Sequence, residues 1–289
     1  MAARSLASLG PALFQGLRAQ VFAWDDGLVV KLYLAGRSRR AVDSEAYATR
    51  RVHEAGLPAP ACYGTVEIAG RFGIILQRID GPSMAQALLS SGWTRSAELG
   101  HTLGELHAKM HSVFTDEADP LGPAIRHCIE RAPGLPPEMK EAVLRVLAAL
   151  PDGQGDSLLH GDFHPMNVLM SGNGPVVIDW DNVHRGNPLA DVGRTLLLLR
   201  SAGRHAAELI PGAEPAQAER GVDAFVDAYV GGYFGSRPGR KADAEAWLVP
   251  LATARLIERV PGEEEWLTGI IADGLAKSQP ERPLALSCS

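Results

Sequence analysis

The chain has 289 residues, of which 46% are hydrophobic and 21% charged, a composition that excludes an intrinsically disordered protein. No stretch approaches the roughly 18 uninterrupted apolar residues of a transmembrane helix, so we expect no membrane partner. Cys62, Cys128 and Cys288 are odd in number and far apart, which favours reduced thiols and a cytoplasmic location over a disulfide framework.

The charge is unevenly distributed along the chain. Residues 1–79 carry ten Lys/Arg and six Asp/Glu, whereas residues 80–289 carry eighteen Lys/Arg and twenty-eight Asp/Glu. Nucleic acids need a basic binding face, so this acidic larger part predicts no nucleic-acid partner. It is compatible with a cationic small molecule, and equally with a surface whose acidity only keeps the protein soluble.

The N-terminal residues predict a small antiparallel β-sheet with one helix. Hairpin turns are indicated at Asp25-Asp26-Gly27 and at Ala69-Gly70. A Gly-Pro break at residues 81–82 ends this pattern, so we expect residues 1–79 to form one β-rich lobe. The predicted elements are strands at residues 19–24, 27–34, 61–70 and 71–79 and a helix at residues 40–56.

Residues 80–289 predict a larger, mainly α-helical lobe. Its first helix has Leu99, Leu103, Leu106 and Met110 on one face. Short apolar strands interrupt the helical pattern in residues 158–180, and their connecting loops are the places where catalytic groups are commonly found. Further helical patterns lie at residues 136–150, 189–203, 217–234, 242–260 and 263–276.

The interrupting stretch reads LLHGDFHPMNVLMSGNGPVVIDW and contains two histidines four residues apart, His160 and His164. A zinc-protease helix has that spacing, but it requires a glutamate directly after the first histidine. Gly161 stands there instead, and Pro165 follows the second histidine, so the pair does not lie on a helix. The sequence therefore argues against a zinc hydrolase.

Phosphoryl transfer accounts for this stretch better. The reaction needs a base that orients the acceptor hydroxyl, together with oxygen ligands for magnesium. Protein kinases place an asparagine five residues after the catalytic aspartate and a second aspartate at a later strand end. Asp162, Asn167 and Asp179 reproduce this order and spacing.

The same chemistry needs a strand lysine on the phosphates and a helix glutamate that holds it. Lys31 in the second predicted strand and Glu45 in the following helix supply these two groups. The order of a β-rich lobe followed by a helical lobe agrees with this assignment. We therefore predict an α+β, bilobal protein-kinase-like fold.

The motifs HGDFHPMN and VIDWDNVHRGNPLADVG resemble those of the aminoglycoside phosphotransferase and choline kinase-like family of small-molecule kinases. The resemblance implies that ATP and Mg²⁺ are the cofactors. It implies that Asp162 is the catalytic base, that Asn167 and Asp179 are magnesium ligands, and that Lys31 and Glu45 form the phosphate-binding ion pair.

The resemblance also implies further roles. Residues Gln77 to Ile79 correspond to the hinge whose backbone meets adenine. His160 corresponds to a structural histidine behind the loop, and Asp191 to an aspartate that braces the loop backbone. The first hairpin lacks a G-x-G-x-x-G sequence, so the phosphate loop stays unassigned.

The acceptor has no motif of its own. Four glutamates, at 258 and 263–265, lie near Trp266 and favour a cationic or amino-bearing alcohol such as an aminoglycoside, although a solvated helix start explains them equally. The alternatives are a kinase of choline, homoserine or a sugar, and an inactive kinase-like binding module. We expect a monomer or a homodimer.

The sequence allows more than one role for three further side chains. His107 and His111 have the spacing of a metal pair, but we expect one to pack in the core and the other to be solvated. Asp181 is either an additional group at the metal or a solvated turn residue.

Overall fold

The computed structural model describes residues 5–16, 18–151, 156–209 and 214–278, so Cys288 lies outside the described residues. The predicted α+β, kinase-like architecture is confirmed. An antiparallel sheet with one helix comes first in the chain, and a mainly helical part follows.

Five antiparallel strands form the N-terminal sheet, in the order β1-β2-β3-β5-β4. Both predicted hairpins are present, and the second turns through Ala69 and Gly70, each with positive φ. The alternating burial of β3 leaves the Lys31 side chain on the face of the sheet that helix α1 approaches. The strands are β1 (Phe14–Gln15), β2 (Ala19–Ala23), β3 (Leu28–Tyr33), β4 (Cys62–Ile68) and β5 (Arg71–Gln77).

Helix α1 (Arg39–Glu54) connects β3 to β4 and packs against the sheet. The Ser38 side chain caps its N-terminus by accepting a hydrogen bond from the N–H of Ala41. Val42 and Ala46 are buried with Tyr33 and Ile74 of the sheet. Because Glu45 lies beside them on the same face of the helix, its carboxylate is buried as well.

The C-terminal part is built from ten helices in the described residues. Each predicted helix is present, but residues 242–260 form two helices and a short 3-10 turn where one helix was expected. Pro250 explains the break, because its ring has no N–H and would collide with the carbonyl of Ala246 in a continuous helix. The helices are α2 (Met84–Ser90), α3 (Ser96–Met110), α4 (Leu121–Arg131), α5 (Pro137–Ala149), α6 (Pro188–Gly203), α7 (Ala206–Leu209), α8 (Pro215–Ser236), α9 (Lys241–Glu245), α10 (Leu248–Arg255) and α11 (Glu264–Ser278).

Helices α3 and α8 approach each other at backbone distance. A Cβ atom on Gly104 would lie 2.2 Å from the carbonyl oxygen of Tyr229, and one on Gly232 would lie 2.4 Å from that of His101. Only glycine permits this approach, and it brings the side chains that follow on both helices together in the core. Among the described residues, no helix is both long enough and apolar enough to span a membrane.

Two short antiparallel pairs lie within the helical part. Three of the four strands lie in or at the edge of residues 158–180, where strands were predicted, and the fourth, at residues 184–186, was not predicted. They are β7 (Val168–Ser171) with β8 (Gly174–Val177), and β6 (Ser157–Leu159) with β9 (His184–Gly186). The loop after β6 carries Asp162, and Asp179 lies two residues after the end of β8. The turn joining β7 to β8 therefore returns the chain to the loop that carries Asp162.

The segment between the two parts contacts both of them. The N–H of Arg78 donates to the carbonyl of Gly27 in the first hairpin, and Ser83 pairs with Leu169 of β7. The division of the chain into lobes at residues 79 and 80 stays a prediction.

Candidate active site

The loop from His160 to Asn167 is built around the backbone of Asp162. The N–H of Asp162 donates to Nδ1 of His160 (3.3 Å), and its carbonyl accepts from Nδ2 of Asn167 (2.9 Å). Gly161 has φ +75°, and a Cβ there would lie 2.3 Å from the carbonyl of Asn182, so no other residue fits. The loop is thus held from both sides of the aspartate.

The Asp162 carboxylate lies between two cationic or potentially cationic groups. Its Oδ2 is 3.5 Å from Nε2 of His164, and its Oδ1 is 3.9 Å from Nη2 of Arg194. Burial alone would raise its pKa, but the hydrogen bond and charge of His164 and the charge of Arg194 outweigh this and lower the pKa to about 2. Asp162 is therefore ionised at neutral pH.

Asn167 and Asp179 are joined through the backbone and present oxygen atoms. The N–H of Ile178 donates to the carbonyl of Asn167 (2.9 Å), which fixes the residue before Asp179. Since Nδ2 of Asn167 is used by the loop, its Oδ1 is the free end of the amide, and no described residue donates to it. A carboxylate and an amide oxygen are the hard ligands that Mg²⁺ takes.

Asp179 itself adopts the left-handed conformation, with φ +67° and ψ +62°. A non-glycine residue in this region is uncommon, and where the surrounding structure holds it there, a functional constraint is a frequent cause. Its side chain is partly exposed, and Oδ1 accepts a hydrogen bond from Nζ of Lys31 (2.7 Å). The β3 lysine therefore reaches across to the helical part.

Lys31 also forms the expected ion pair with Glu45, with Nζ 2.8 Å from Oε1. Burial opposes charge on both groups. For Lys31 the two neighbouring carboxylates outweigh burial and raise its pKa, whereas for Glu45 burial and the charge of Asp179 outweigh Lys31, so the pKa of the carboxyl is raised. Oε2 of Glu45 is buried and has no partner among the described residues.

The side chain of Asp181 is only 6% exposed, so the interpretation of Asp181 as a solvated turn residue is wrong. Arg37 donates to its Oδ1, and Nη1 of Arg18 lies 3.5 Å from its Oδ2. Both arginines come from loops of the N-terminal sheet. The sequence offered no signal for them, because a lone arginine in a turn is ordinarily a solvated side chain.

The hinge prediction is narrowed by the backbone. The N–H of Gln77 donates to the carbonyl of Ala61 (2.8 Å), and that of Arg78 donates to Gly27, so neither is free for a base. No described residue accepts a hydrogen bond from the N–H of Ile79. Of the three residues in the predicted hinge, Ile79 is therefore the one whose N–H could still bind a base.

The two loop histidines face different partners. Nε2–H of His160 donates to the carbonyl of Ile178 (3.1 Å), and the residue is fully buried. Nδ1 of His164 accepts from the N–H of Met166, while its Nε2 faces Asp162. This agrees with the rejection of a zinc site at this pair.

The expectation for His107 and His111 is wrong, because both are fully buried. Nε2 of His107 lies 3.2 Å and Nε2 of His111 lies 3.3 Å from Oδ2 of Asp191. Nδ1 of each histidine is within hydrogen-bonding distance of a tyrosine hydroxyl of α8. The tyrosines, Tyr229 and Tyr233, were missed. Their signal was readable, since they repeat on α8 the four-residue spacing of the histidines on α3.

The acidic run near the C-terminus does not offer four free carboxylates. Glu263 is buried, where Arg255 (2.6 and 2.7 Å) and the Ser201 hydroxyl donate to it. Glu258 accepts from Arg194 (2.6 Å) and Arg255 (3.0 Å).

The remaining members of this run are also unsuited to a shared cation site. Glu264 and Glu265 are exposed in the first turn of α11, and the Trp266 ring faces the guanidinium of Arg204 at 5.3 Å. A cation site on Trp266 is therefore not supported, whereas Glu258 remains next to Asp162 through Arg194.

The comparisons with known proteins identify the family of the chain. The model of APH, the phosphotransferase enzyme family, matches residues 15–244, which include every site residue predicted above except the C-terminal glutamates. The chain belongs to this family of phosphotransferase enzymes, and the resemblance to small-molecule kinases drawn from its motifs is confirmed. No curated protein sequence matches the chain.

Solved structures share the fold at low identity. An aminoglycoside-3'-phosphotransferase of type VIII has a TM-score of 0.54 and 16% identity over 86% of this chain and 91% of that one. Aminoglycoside phosphotransferase APH(3'')-Id from Streptomyces rimosus has a TM-score of 0.55 and 17% identity over 86% of this chain and 94% of that one. A glucosamine kinase has a TM-score of 0.51 and 17% identity over 90% of this chain and 76% of that one.

The buried ion pair yields the first prediction. Replacing Lys31 with Met leaves the Glu45 carboxylate buried without its cation, so we expect the free energy of unfolding at pH 7 to fall by about 3 kcal/mol. The double variant Lys31→Met/Glu45→Gln removes both charges and recovers most of this loss. Denaturant unfolding of the single and double variants measures it.

The stability loss in Lys31→Met should also depend on pH. Without the Lys31 cation, the pKa of Glu45 in the folded state lies further above its value in the unfolded state. As pH falls from 8 to 5, the folded state therefore binds a proton at Glu45 before the unfolded state does, and the loss of unfolding free energy becomes smaller. Lys109→Met, at an exposed lysine of α3, is the control and should change little. A deficit that is constant with pH would show that Glu45 is not charged in the variant.

Proposed function

We propose that the protein transfers the γ-phosphate of ATP, in a magnesium-dependent reaction, to a hydroxyl group of a small molecule. The observation that carries this proposal is the joining of Asp162, Asn167, Asp179 and Lys31 by direct contacts. The carbonyl of Asp162 binds the Asn167 amide, the backbone of Asn167 holds the residue before Asp179, and Lys31 reaches Asp179. Sequence spacing alone does not produce this convergence.

The donor groups suit a nucleotide and its metal. Bound magnesium would neutralise charge on the phosphate oxygens. Oδ1 of Asn167 and the partly exposed carboxylate of Asp179 are the oxygen ligands this chain offers to it. Lys31, with a raised pKa, supplies a permanent positive charge for phosphate, and Ile79 supplies a free backbone N–H for the adenine edge.

Asp162 orients the acceptor. Its carboxylate is ionised and can accept a hydrogen bond from the hydroxyl, which aligns an oxygen lone pair for attack. With a pKa of about 2 it is a weak base, so orientation is the larger part of its contribution and full proton removal is late in the reaction. His164 and Arg194, which lower this pKa, hold the carboxylate in place.

The acceptor that we propose first is an amino-bearing sugar or antibiotic, such as an aminoglycoside. Glu258 supports this, because it is partly exposed and is joined to Asp162 through Arg194. Two proteins of similar fold are named for aminoglycoside and glucosamine acceptors, which makes such amines the first compounds to test. Modification of an antibiotic in the cytoplasm would confer resistance.

A metabolite kinase is the second candidate. Glu258 is already paired with Arg194 and Arg255, and a guanidinium beside a carboxylate also suits the donor and acceptor pattern of neutral sugar hydroxyls. Choline and homoserine belong in the same screen. An inactive binding module is disfavoured, since each group that the chemistry requires is in contact with the next.

The role of Asp162 gives the second prediction. Asp162→Asn keeps the shape of the side chain but removes its charge, so we expect kcat to fall by about 10²–10⁴ while the Kd for ATP stays within about twofold. ADP release with the best acceptor and isothermal titration with ATP measure the two quantities. Asp223→Asn, at an exposed aspartate of α8, should behave like the unmodified protein. Ordinary turnover by folded Asp162→Asn protein would rule the role out.

The magnesium role of Asp179 gives the third prediction. Asp179→Ala removes a hard oxygen ligand, so we expect turnover to be lost and ATP affinity to become independent of magnesium. Titration of ATP in the presence and in the absence of magnesium measures the coupling. If ATP binding by the variant keeps the magnesium dependence of the unmodified protein, Asp179 is not a ligand.

The acceptor proposal gives the fourth prediction. Glu258→Gln removes a charged partner of the acceptor amine, so we expect KM for an amino-bearing acceptor to rise by about tenfold with KM for ATP unchanged. Glu265→Gln, at an exposed glutamate of α11, is the matched control and should leave both unchanged. The metabolite-kinase candidate would be favoured if the preferred acceptor is neutral and its KM changes neither in Glu258→Gln nor with ionic strength.

A further inference from the structure

A buried polar cluster connects helices α3, α6 and α8 to the loop that carries Asp162. Its members are fully buried or nearly so: His107, His111, Asp191, Tyr229 and Tyr233. Nδ1 of His107 is 2.8 Å from the hydroxyl of Tyr229, and Nδ1 of His111 is 2.9 Å from that of Tyr233. Both Nε2 atoms meet Oδ2 of Asp191.

The Asp191 carboxylate also holds the loop backbone directly. Its Oδ2 accepts the N–H of His160 (2.7 Å) and its Oδ1 accepts the N–H of Gly161 (3.0 Å). These two amides immediately precede Asp162, and His160 in turn binds the Asp162 N–H. The position of the base therefore depends on where one buried carboxylate is held.

The hydrogen positions in this cluster have one consistent assignment. A carboxylate only accepts, so each imidazole must donate Nε2–H to Asp191. Each Nδ1 then carries a lone pair and must accept the O–H of its tyrosine. The tyrosine hydroxyl thus selects the histidine tautomer that can donate to Asp191, and the chain of donors runs from α8 through α3 to α6 and the loop.

The protonation states agree with this assignment. Burial, followed by the neighbouring His111, lowers the pKa of His107 to about 3, so its ring is neutral. Burial would raise the pKa of Asp191, but hydrogen bonds from His107 and His111 outweigh it and lower that pKa well below the ordinary value. A single buried negative charge is therefore stabilised by neutral donors.

The helix geometry explains why this arrangement is possible. His107 lies on α3, and His111 follows its last residue and continues the helical hydrogen bonding to the carbonyl of His107, so the two histidines share one face. The two tyrosines lie four residues apart on α8 and share a face in the same way. The glycine contact at Gly104, against the Tyr229 carbonyl, sets the two faces at hydrogen-bonding distance. The two His–Tyr pairs repeat in register along the helix contact.

We propose that His107, His111, Tyr229 and Tyr233 are positioning residues for phosphoryl transfer, which act through Asp191 on the loop that carries Asp162. None of them touches a reacting atom. The tyrosines select the donor tautomer of the histidines, and the histidines fix the carboxylate that holds the His160 and Gly161 amides. This inference rests on the proposed role of Asp162, but its structural part is measurable without any substrate.

A metal ion held by His107, His111 and Asp191 is the competing explanation, because the three ligand atoms lie close together. Structural zinc sites almost always have four ligands, and here the described residues offer three. Oδ2 of Asp191 already receives three N–H groups, which leaves it little capacity for a cation. Hydrogen bonding therefore accounts for the cluster better than a metal does.

Conservative variants test the proposal. In Tyr229→Phe and Tyr233→Phe only the hydroxyl is lost, and we expect kcat to fall about tenfold in each while KM and Kd for ATP stay unchanged. His107→Gln keeps an N–H donor for Asp191 and should retain most activity, whereas His107→Leu has none and should lose about 100-fold. Ser96→Ala removes a buried hydrogen bond elsewhere on α3 and should leave kcat unchanged.

A second measurement separates positioning from a general loss of stability. Amide hydrogen exchange at His160 and Gly161 should be faster in Tyr229→Phe and His107→Leu than in the unmodified protein, and unchanged in Ser96→Ala. Imidazole ¹⁵N spectra of the unmodified protein should show neutral rings with hydrogen on Nε2 for His107 and His111. Neither measurement needs an acceptor, so both stand even if no acceptor is phosphorylated.

Three results would overturn the proposal. One is normal kcat and normal loop exchange in both tyrosine variants. Another is a fall in the kcat of the tyrosine variants that is fully explained by a smaller fraction of folded protein, with Ser96→Ala showing the same fall. The third is one equivalent of tightly bound metal in the purified protein that disappears in His107→Leu, which would identify the cluster as a metal site.

Discussion

A buried carboxylate without water needs enough donors to keep its charge, and at Asp191 that need organises the helical part of the protein. Four N–H groups converge on it: two from the loop backbone and two from imidazoles of α3. Each imidazole is itself oriented by a hydroxyl from α8. A charge that would cost several kcal/mol if unpaired is thereby used to hold three helices and one loop in a single arrangement.

A second set of charges connects the sheet to this framework. Lys31 binds Glu45 on one side and Asp179 on the other, so one ammonium group is shared between helix α1 and the turn after β8. Arg18 and Arg37 reach Asp181 from the same direction. Three cationic side chains of the N-terminal part thus face two aspartates in the turn after β8, so some of the opposite charge of the two segments is neutralised where they meet.

The acidity of the C-terminal part does not translate into a free acidic surface at the site. Glu263 and Glu258 are taken up by Arg255 and Arg194, and these pairs reach the neighbourhood of Asp162 as a mixed arrangement of donors and acceptors. Such a lining suits the hydroxyl and amino groups of the acceptor that we propose, because its donors and acceptors have fixed directions as well as charge. Net charge along a sequence therefore says little about the potential at a particular pocket.

The sequence by itself determined the class of fold and the groups that we propose to react, because both depend on local patterns: strand alternation, the Asp25-Asp26-Gly27 turn, and the fixed spacing of Asp162, Asn167 and Asp179. Only the tertiary structure decided which side chains meet over long separations. It showed that His107 and His111 are both buried and that Tyr229 and Tyr233 are their partners. It also showed that Glu263 forms a buried ion pair with Arg255. Such pairings depend on how closely α3 and α8 approach at Gly104 and on the break between α9 and α10 that precedes Pro250, and no periodicity in the sequence encodes either feature.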